Sequence, residues 1–150
     1  MGQSLVKNYV HIVFSTKFRE PIIDIEIETE LHHYIAGICN NLNCQLITIG
    51  GISDHIHILC ILSKNISISQ LVMEIKSNSS KWIKTKGVKY ENFYWQNGYG
   101  AFSIGYERID KVSAYILNQH IHHSKVKFQT EMRTTFKKNK VDFDERYVWD

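Results

Sequence analysis

The order in which two hydrophobic periods alternate along this chain is its most restrictive feature. Residues 5 to 16 (LVKNYVHIVFST) are rich in β-branched and aromatic side chains without helical spacing, which reads as a strand. Pro21 marks the exit loop. From about 25 to 42, Leu31, Ile35, Ile38 and Leu42 recur at helical steps behind acids placed where a helix dipole favours them, so a first helix is expected. Residues 44 to 49 (CQLITI) and 55 to 62 (HIHILCIL) flank Gly50-Gly51-Ile52-Ser53-Asp54, a turn-rich connection expected to join two strands as a hairpin. Ile68, Leu71, Val72, Ile75, Ser79, Trp82 and Ile83 trace a second helical face, with Ser67 as its N-cap and Gly87 closing it. Residues 93 to 104 (FYWQNGYGAFSI) read as an irregular or bulged fourth strand, and 108 to 122 as a third helix. The order β-α-β-β-α-β is the split ferredoxin-like (RRM-like) arrangement of an α+β fold, with helices on one face of an antiparallel sheet and an extra helix after it. The tail from 124 to 150 is expected to be helical near 129 to 139 and irregular beyond.

At 150 residues, 43% of them hydrophobic and only one a proline, the chain suits a single domain over 1–150, with a core at 5–123 and a tail at 124–150. No apolar run approaches the roughly 20 residues of a membrane span, and the first residues lack the apolar core of a secretion signal, so a cytoplasmic location is expected. Cys39, Cys44 and Cys60 are odd in number and lack Cys-x-x-Cys spacing, which points to buried free thiols.

Charge is informative through its distribution. Between 64 and 89 six lysines face Glu74 alone, a local balance of +5; from 111 to 140 seven basic residues face only Glu131, a balance of +6. Acids gather instead at Glu20, Asp24, Glu26, Glu28 and Glu30. Such segregation suits a phosphate-facing surface, although two solvated lysine-rich helices would look the same.

His55 and His57 lie two apart on an expected strand, so both imidazoles project to one side and can bind one ion together. Tyr115 and Gln119, four apart on the third helix, are neighbours on one face, and His122 continues that stripe. A phenol, with an ordinary pKa near 10, attacks phosphorus well only if its proton is drawn off or the developing charge is stabilised, and a divalent ion at the scissile phosphate does the latter.

Together these features resemble the single-tyrosine HUH transposases of small bacterial insertion sequences, IS200-like, including relatives associated with repetitive extragenic palindromes. The landmarks are Tyr9 to Lys17 (YVHIVFSTK), Gly50-Gly51-Ile52-Ser53-Asp54-His55-Ile56-His57, the helix with Ser79-Ser80-Lys81-Trp82, Trp95 to Ser103 (WQNGYGAFS), and Tyr115 to His123 (YILNQHIHH). The resemblance implies that His55, His57 and Gln119 hold Mg2+ or Mn2+ while Tyr115 attacks DNA and becomes 5′-phosphorylated. Nitrogen ligands are soft for magnesium and comfortable with manganese. It further implies binding to single-stranded DNA hairpins, and homodimers whose tyrosine helix completes the partner's histidine site in trans. Arg19, Lys76, Lys81 and Lys84 are candidate phosphate contacts by charge. His11, His120, His122 and His123 read as structural or supporting residues. Competing readings are a non-catalytic RRM-like nucleic-acid-binding module, a domesticated transposase acting on repetitive palindromes, and a zinc hydrolase built on His55, His57 and the later histidines; the last leaves the Tyr115 to Gln119 spacing without a purpose.

Overall fold

A computed structural model describes residues 2–150. Its strands are β1 (Tyr9–Ser15), β2 (Leu46–Ile52), β3 (His55–Ile61) and β4 (Gly100–Ser103), and its helices α1 (Ile25–Asn41), α2 (Ile68–Lys84), α3 (Ile109–Leu117), α4 (Gln119–His122) and α5 (Phe128–Lys138). The strands form one antiparallel sheet in the order β2-β3-β1-β4, the ferredoxin-like order expected from the sequence.

Capping fixes where the long helices begin. The Asp24 carboxylate accepts from the Ile27 amide at the start of α1, and Ser67 Oγ accepts from the Gln70 amide at the start of α2, each satisfying an otherwise orphaned donor.

Strand β1 is buried almost from end to end, because both faces of the sheet are covered. On one face Val10, Ile12 and Phe14 of β1 and Ile56, Ile58 and Cys60 of β3 meet Leu31 and Ile35 of α1 and Leu71 and Ile75 of α2. On the other, Leu59 packs on Val112 and Ile116 of α3, while Val13 and Phe102 pack on Phe128, Met132 and Phe136 of α5. Cys39, Cys44 and Cys60 are buried free thiols, as expected. Among the described residues no helix is long and apolar enough to cross a membrane.

Several boundaries differ from the sequence expectation. Strand β1 starts at Tyr9, and Leu5, 81% exposed, and Val6 lie outside the core. Gly50 and Gly51 are not in the turn; they lie within β2, opposite His57 and Ile56, and the chain reverses at Ser53-Asp54. The reason is close approach: a Cβ on Gly50 would sit 2.3 Å from the Ile116 carbonyl oxygen, so this glycine lets the α3 backbone lie directly on the sheet.

The fourth strand is confined to Gly100–Ser103. Before it, Phe93 and Trp95 turn into the core, Trp95 donates to Ser79 Oγ at 2.9 Å, and Gln96 brackets Ser15 through its amide and its side-chain oxygen. The third helix is interrupted at Asn118 (φ −95°, ψ 19°), so Tyr115 and Gln119 fall on α3 and α4 respectively. The tail helix forms within one residue of where its pattern placed it.

Candidate active site

Alternation along β3 sends Ile56 and Ile58 toward α1 and α2 and turns His55 and His57 toward α3, α4 and α5. Both imidazoles are fully buried. His55 Nδ1 lies 2.7 Å from Asp54 Oδ1, which can only accept when ionised, so Nδ1 carries a proton and donates. The opposite nitrogen, Nε2, is 2.9 Å from Gln119 Oε1, whose amide is oriented by a contact of its Nε2 with the Tyr115 carbonyl at 3.4 Å. A lone pair on Nε2 would face the lone pairs of that oxygen; a bound cation, a shared proton or a turned amide reconciles them.

His57 is held from both sides. Its Nδ1 is 2.8 Å from His11 Nε2, with the two rings stacked, and its Nε2 is 3.1 Å from Glu131 Oε1. Burial is the main reason both histidines stay neutral, pulling His57 down to about 4 and His11 to about 3; repulsion from His57 adds to it for His11 and repulsion from His55 and His123 for His57, while Glu131 works the other way on both. Because His11 can either donate to or accept from His57, the pair can exchange tautomers, freeing a lone pair on His57 Nε2.

Glu131, from the first turn of α5, fills the centre of the cluster. Its Oε2 is 2.8 Å from His122 Nε2 and 3.0 Å from His123 Nε2, yet none of these three atoms finds a partner in hydrogen-bond alignment. Burial alone would raise the Glu131 pKa, but His123 and His57 outweigh it and hold the carboxyl well below the usual carboxylate range. Reciprocally, burial works against charge on His123, and the Glu131 carboxylate overcomes it and raises the pKa.

Donor atoms of His55, His57, His123 and Glu131 all lie within 4.8 Å of one another. Ligands at right angles around an ion at ~2.1 Å are about 3.0 Å apart, close to the His55–Gln119 and His57–Glu131 separations. The residues therefore fit a divalent ion: buried, convergent, and with lone pairs opposed or misaligned in a way that a cation relieves.

Tyr115 completes the group. Its ring stands edge-on to His57 at 5.6 Å between centroids and to His122 at 5.3 Å. Burial, and after it the neighbouring Glu131 carboxylate, pushes its phenol above the ordinary value.

Of the residues singled out by sequence, the fold brings Tyr115, His55, His57 and Gln119 together. Glu131 was not anticipated, and His123 takes a closer part than a supporting residue, whereas His11 reaches the cluster through His57 Nδ1. The available signal was Glu131's isolation as the one acid in a strongly basic stretch, where an acid without an exposed partner suggests a buried one. Among the basic candidates, Lys76 departs from expectation: its ammonium donates to the carbonyls of Gln96, Asn97 and Gly98, and burial lowers its pKa to about 8. It clamps a loop. Lys84 lies over the Tyr94 ring at 4.3 Å, whereas Arg19 and Lys81 have no ion-pair partner among the described residues.

The profile described as "Transposase IS200 like" matches residues 4–119, more than three quarters of the chain. The chain belongs to the IS200-like transposase family. As an IS200-like transposase it shares its fold with two solved structures. One is a protein of Deinococcus radiodurans R1 described as a transposase, at 19% identity and a TM-score of 0.62, covering 79% of this chain and 96% of that one. The other is a REP-associated tyrosine transposase bound to a REP hairpin, at 17% identity and a TM-score of 0.59, covering 84% and 74%. No curated protein sequence matches this transposase. The matched residues stop at Gln119, so Glu131 and His123 lie beyond the part the family profile describes.

Proposed function

We propose that this IS200-like transposase cuts and rejoins single-stranded DNA at hairpin-bearing element ends, with Tyr115 as nucleophile. The observation that carries this reading is the edge-on approach of the Tyr115 ring to His57, on the same stretch of chain that delivers Gln119 to His55. The hairpin bound by the REP-associated relative supports a hairpin substrate here.

In the proposed step the Tyr115 Oη attacks the scissile phosphorus, the bond from phosphorus to the 3′-oxygen breaks, and the DNA 5′-end remains on the protein as a phosphotyrosine. The phenol proton passes to solvent and the departing 3′-oxygen takes one from solvent, so atoms and charge are conserved. The phosphodiester is conserved, and a later 3′-hydroxyl reverses the attack without an external energy source.

Residues of the chain prepare this step in distinct ways. Asp54 and His11 fix the faces that His55 and His57 present, and Gln119 adds an amide oxygen. His55, His57, Gln119, His123 and Glu131 would hold the ion. Bound there, Mg2+ or Mn2+ would place positive charge beside the scissile phosphate and offset the carboxylate that keeps the Tyr115 proton on. The nitrogen-rich set favours manganese.

Tyrosine and histidines of one chain already meet, which supports a site complete in cis; a homodimer exchanging tyrosine helices would have to lift α3 from its seat on Gly50. Mixing Tyr115→Phe with His57→Ala subunits separates the two arrangements, since only exchange in trans restores cleavage. For the reading as a whole, a labelled single-stranded hairpin with its flanks is incubated with the protein and Mn2+. Metal-dependent nicking with transfer of one flank to the protein supports it; binding without any strand scission favours the non-catalytic module.

A further inference from the structure

From the pocket between the loops at 16–22 and 92–94, we infer that this protein carries a nucleobase-binding subsite for one unpaired base of its single-stranded DNA, gripped by Phe18 and Tyr94. The inference rests on the proposed single-stranded substrate and adds a site outside the metal and tyrosine cluster.

Phe18 (φ 57°) and Arg19 (φ 54°) both sit in the left-handed region, where a bulky residue is a true outlier. Strain of this kind persists only where the surroundings impose it. Here they do: the Thr16 amide donates to the Asp54 carbonyl, Thr16 Oγ1 to the Glu20 carbonyl, and the Lys17 amide to the Tyr94 carbonyl. The result buries little, since Phe18 is 77% exposed with the Lys17 ammonium 5.2 Å from its ring centre.

Tyr94, on the loop tied to Lys17, is 60% exposed. Neither ring stacks on another aromatic side chain among the described residues. Between the two loops lies a pocket of about 270 Å³, below the usual range for drug-sized ligands and suited to a single ring system. Glu20 and Asn92 on its wall offer an acceptor and an amide to a base edge.

Basic groups flank the pocket, with Glu20 an acid on its wall. Lys84 lies against the Tyr94 ring, Arg19 is adjacent to Phe18, and Lys81 is one turn before Lys84; Lys17 is paired with Asp150. Basic groups interleaved with exposed rings form the platform on which single strands stack, because every base has a π-face. The site is also connected to the reaction centre. Thr16, on the pocket wall, is hydrogen-bonded to Asp54, whose carboxylate orients His55.

The test uses the full chain and a fluorescent hairpin oligonucleotide with a single-stranded flank, in versions carrying one abasic position moved along the flank. Wild type is expected to lose affinity at one flank position, and Phe18→Ala or Tyr94→Ala to lose about 5- to 150-fold with the intact oligonucleotide while no longer responding to the abasic site. Phe18→Gly should weaken binding likewise while leaving Tm unchanged or raised, because glycine tolerates the left-handed backbone. Unaltered binding by the variants, with normal cleavage, overturns the subsite but spares the proposed function. Uniform weakening on duplex and single strand alike, or a lowered Tm for Phe18→Gly, also overturns it. Wild type that binds no single strand removes the functional reading itself.

Discussion

Glu131 Oε1 lies 3.1 Å from His57 Nε2, which joins the C-terminal helix to the central strand inside the site. Sheet face, tyrosine helix and tail are therefore one electrostatic unit. The Glu131 carboxylate that prepares the cluster for a cation also adds to burial in holding the proton on Tyr115.

Glu131→Gln keeps the side chain's shape and removes its charge. We expect Mn2+ affinity, measured by titration calorimetry, to fall by at least about tenfold, as for other groups that tune a metal site. Unchanged affinity would place Glu131 outside the ligand set.

His11 is expected to act by orienting His57. His11→Phe leaves a buried imidazole nitrogen without its partner, at a cost of about 1–3 kcal/mol in denaturant unfolding. Mn2+ binding should weaken by roughly 10- to 100-fold although His11 itself faces away from the ion. Loss of stability with full metal affinity would reduce His11 to a packing residue.

Gly50→Ala tests the seat of the tyrosine helix. The added Cβ meets backbone at 2.3 Å, so α3 must move rather than a flexible side chain. Destabilisation of about 1–3 kcal/mol is expected, with loss of cleavage but retained DNA binding. Wild-type cleavage by this variant would show that the position of α3 on β2 is not needed.

Stability of the metal-free protein should depend on pH through the buried histidines. His57 and His11 titrate in the folded chain at about 4 and about 3, below the ordinary 6.5, so the unfolded chain takes up protons first. Their neutral burial is fully tolerated above pH 6.5, and stability declines as pH falls from there toward 4 and then 3, by roughly 1 kcal/mol per pH unit for each. His123 works in the opposite sense, its pairing with Glu131 being lost as pH rises past its elevated pKa. Glu131, held low, keeps its contribution through this range. Urea melts at pH 7 and pH 4.5 with a chelator present measure the difference; equal midpoints would contradict the neutral burial of His57 and His11.

The sheet order and both long helices were legible in the sequence because apolar period and capping residues agree: Asp24 and Ser67 stand where their helices begin. The pair His55 and His57 was legible for a similar reason, since alternation on a strand leaves no choice of face. Gly50 was misplaced because glycine in a strand and glycine in a turn look alike until the Ile116 carbonyl is in place above it. Glu131 was hidden for a different reason: its role depends on α5 folding back across the sheet, a long-range event driven by Phe128, Met132 and Phe136 that no local pattern encodes. Lys76 was misjudged because a lysine's charge is visible in sequence and the three carbonyls that absorb it are not.

The most direct measurement is intact-mass and peptide-mass spectrometry of the protein after reaction with a single-stranded hairpin substrate and Mn2+. The account predicts a DNA flank attached through phosphate to the peptide containing Tyr115, and no adduct from Tyr115→Phe, which still binds the hairpin. An undiminished adduct on Tyr115→Phe, or attachment at another residue in wild type, would contradict it.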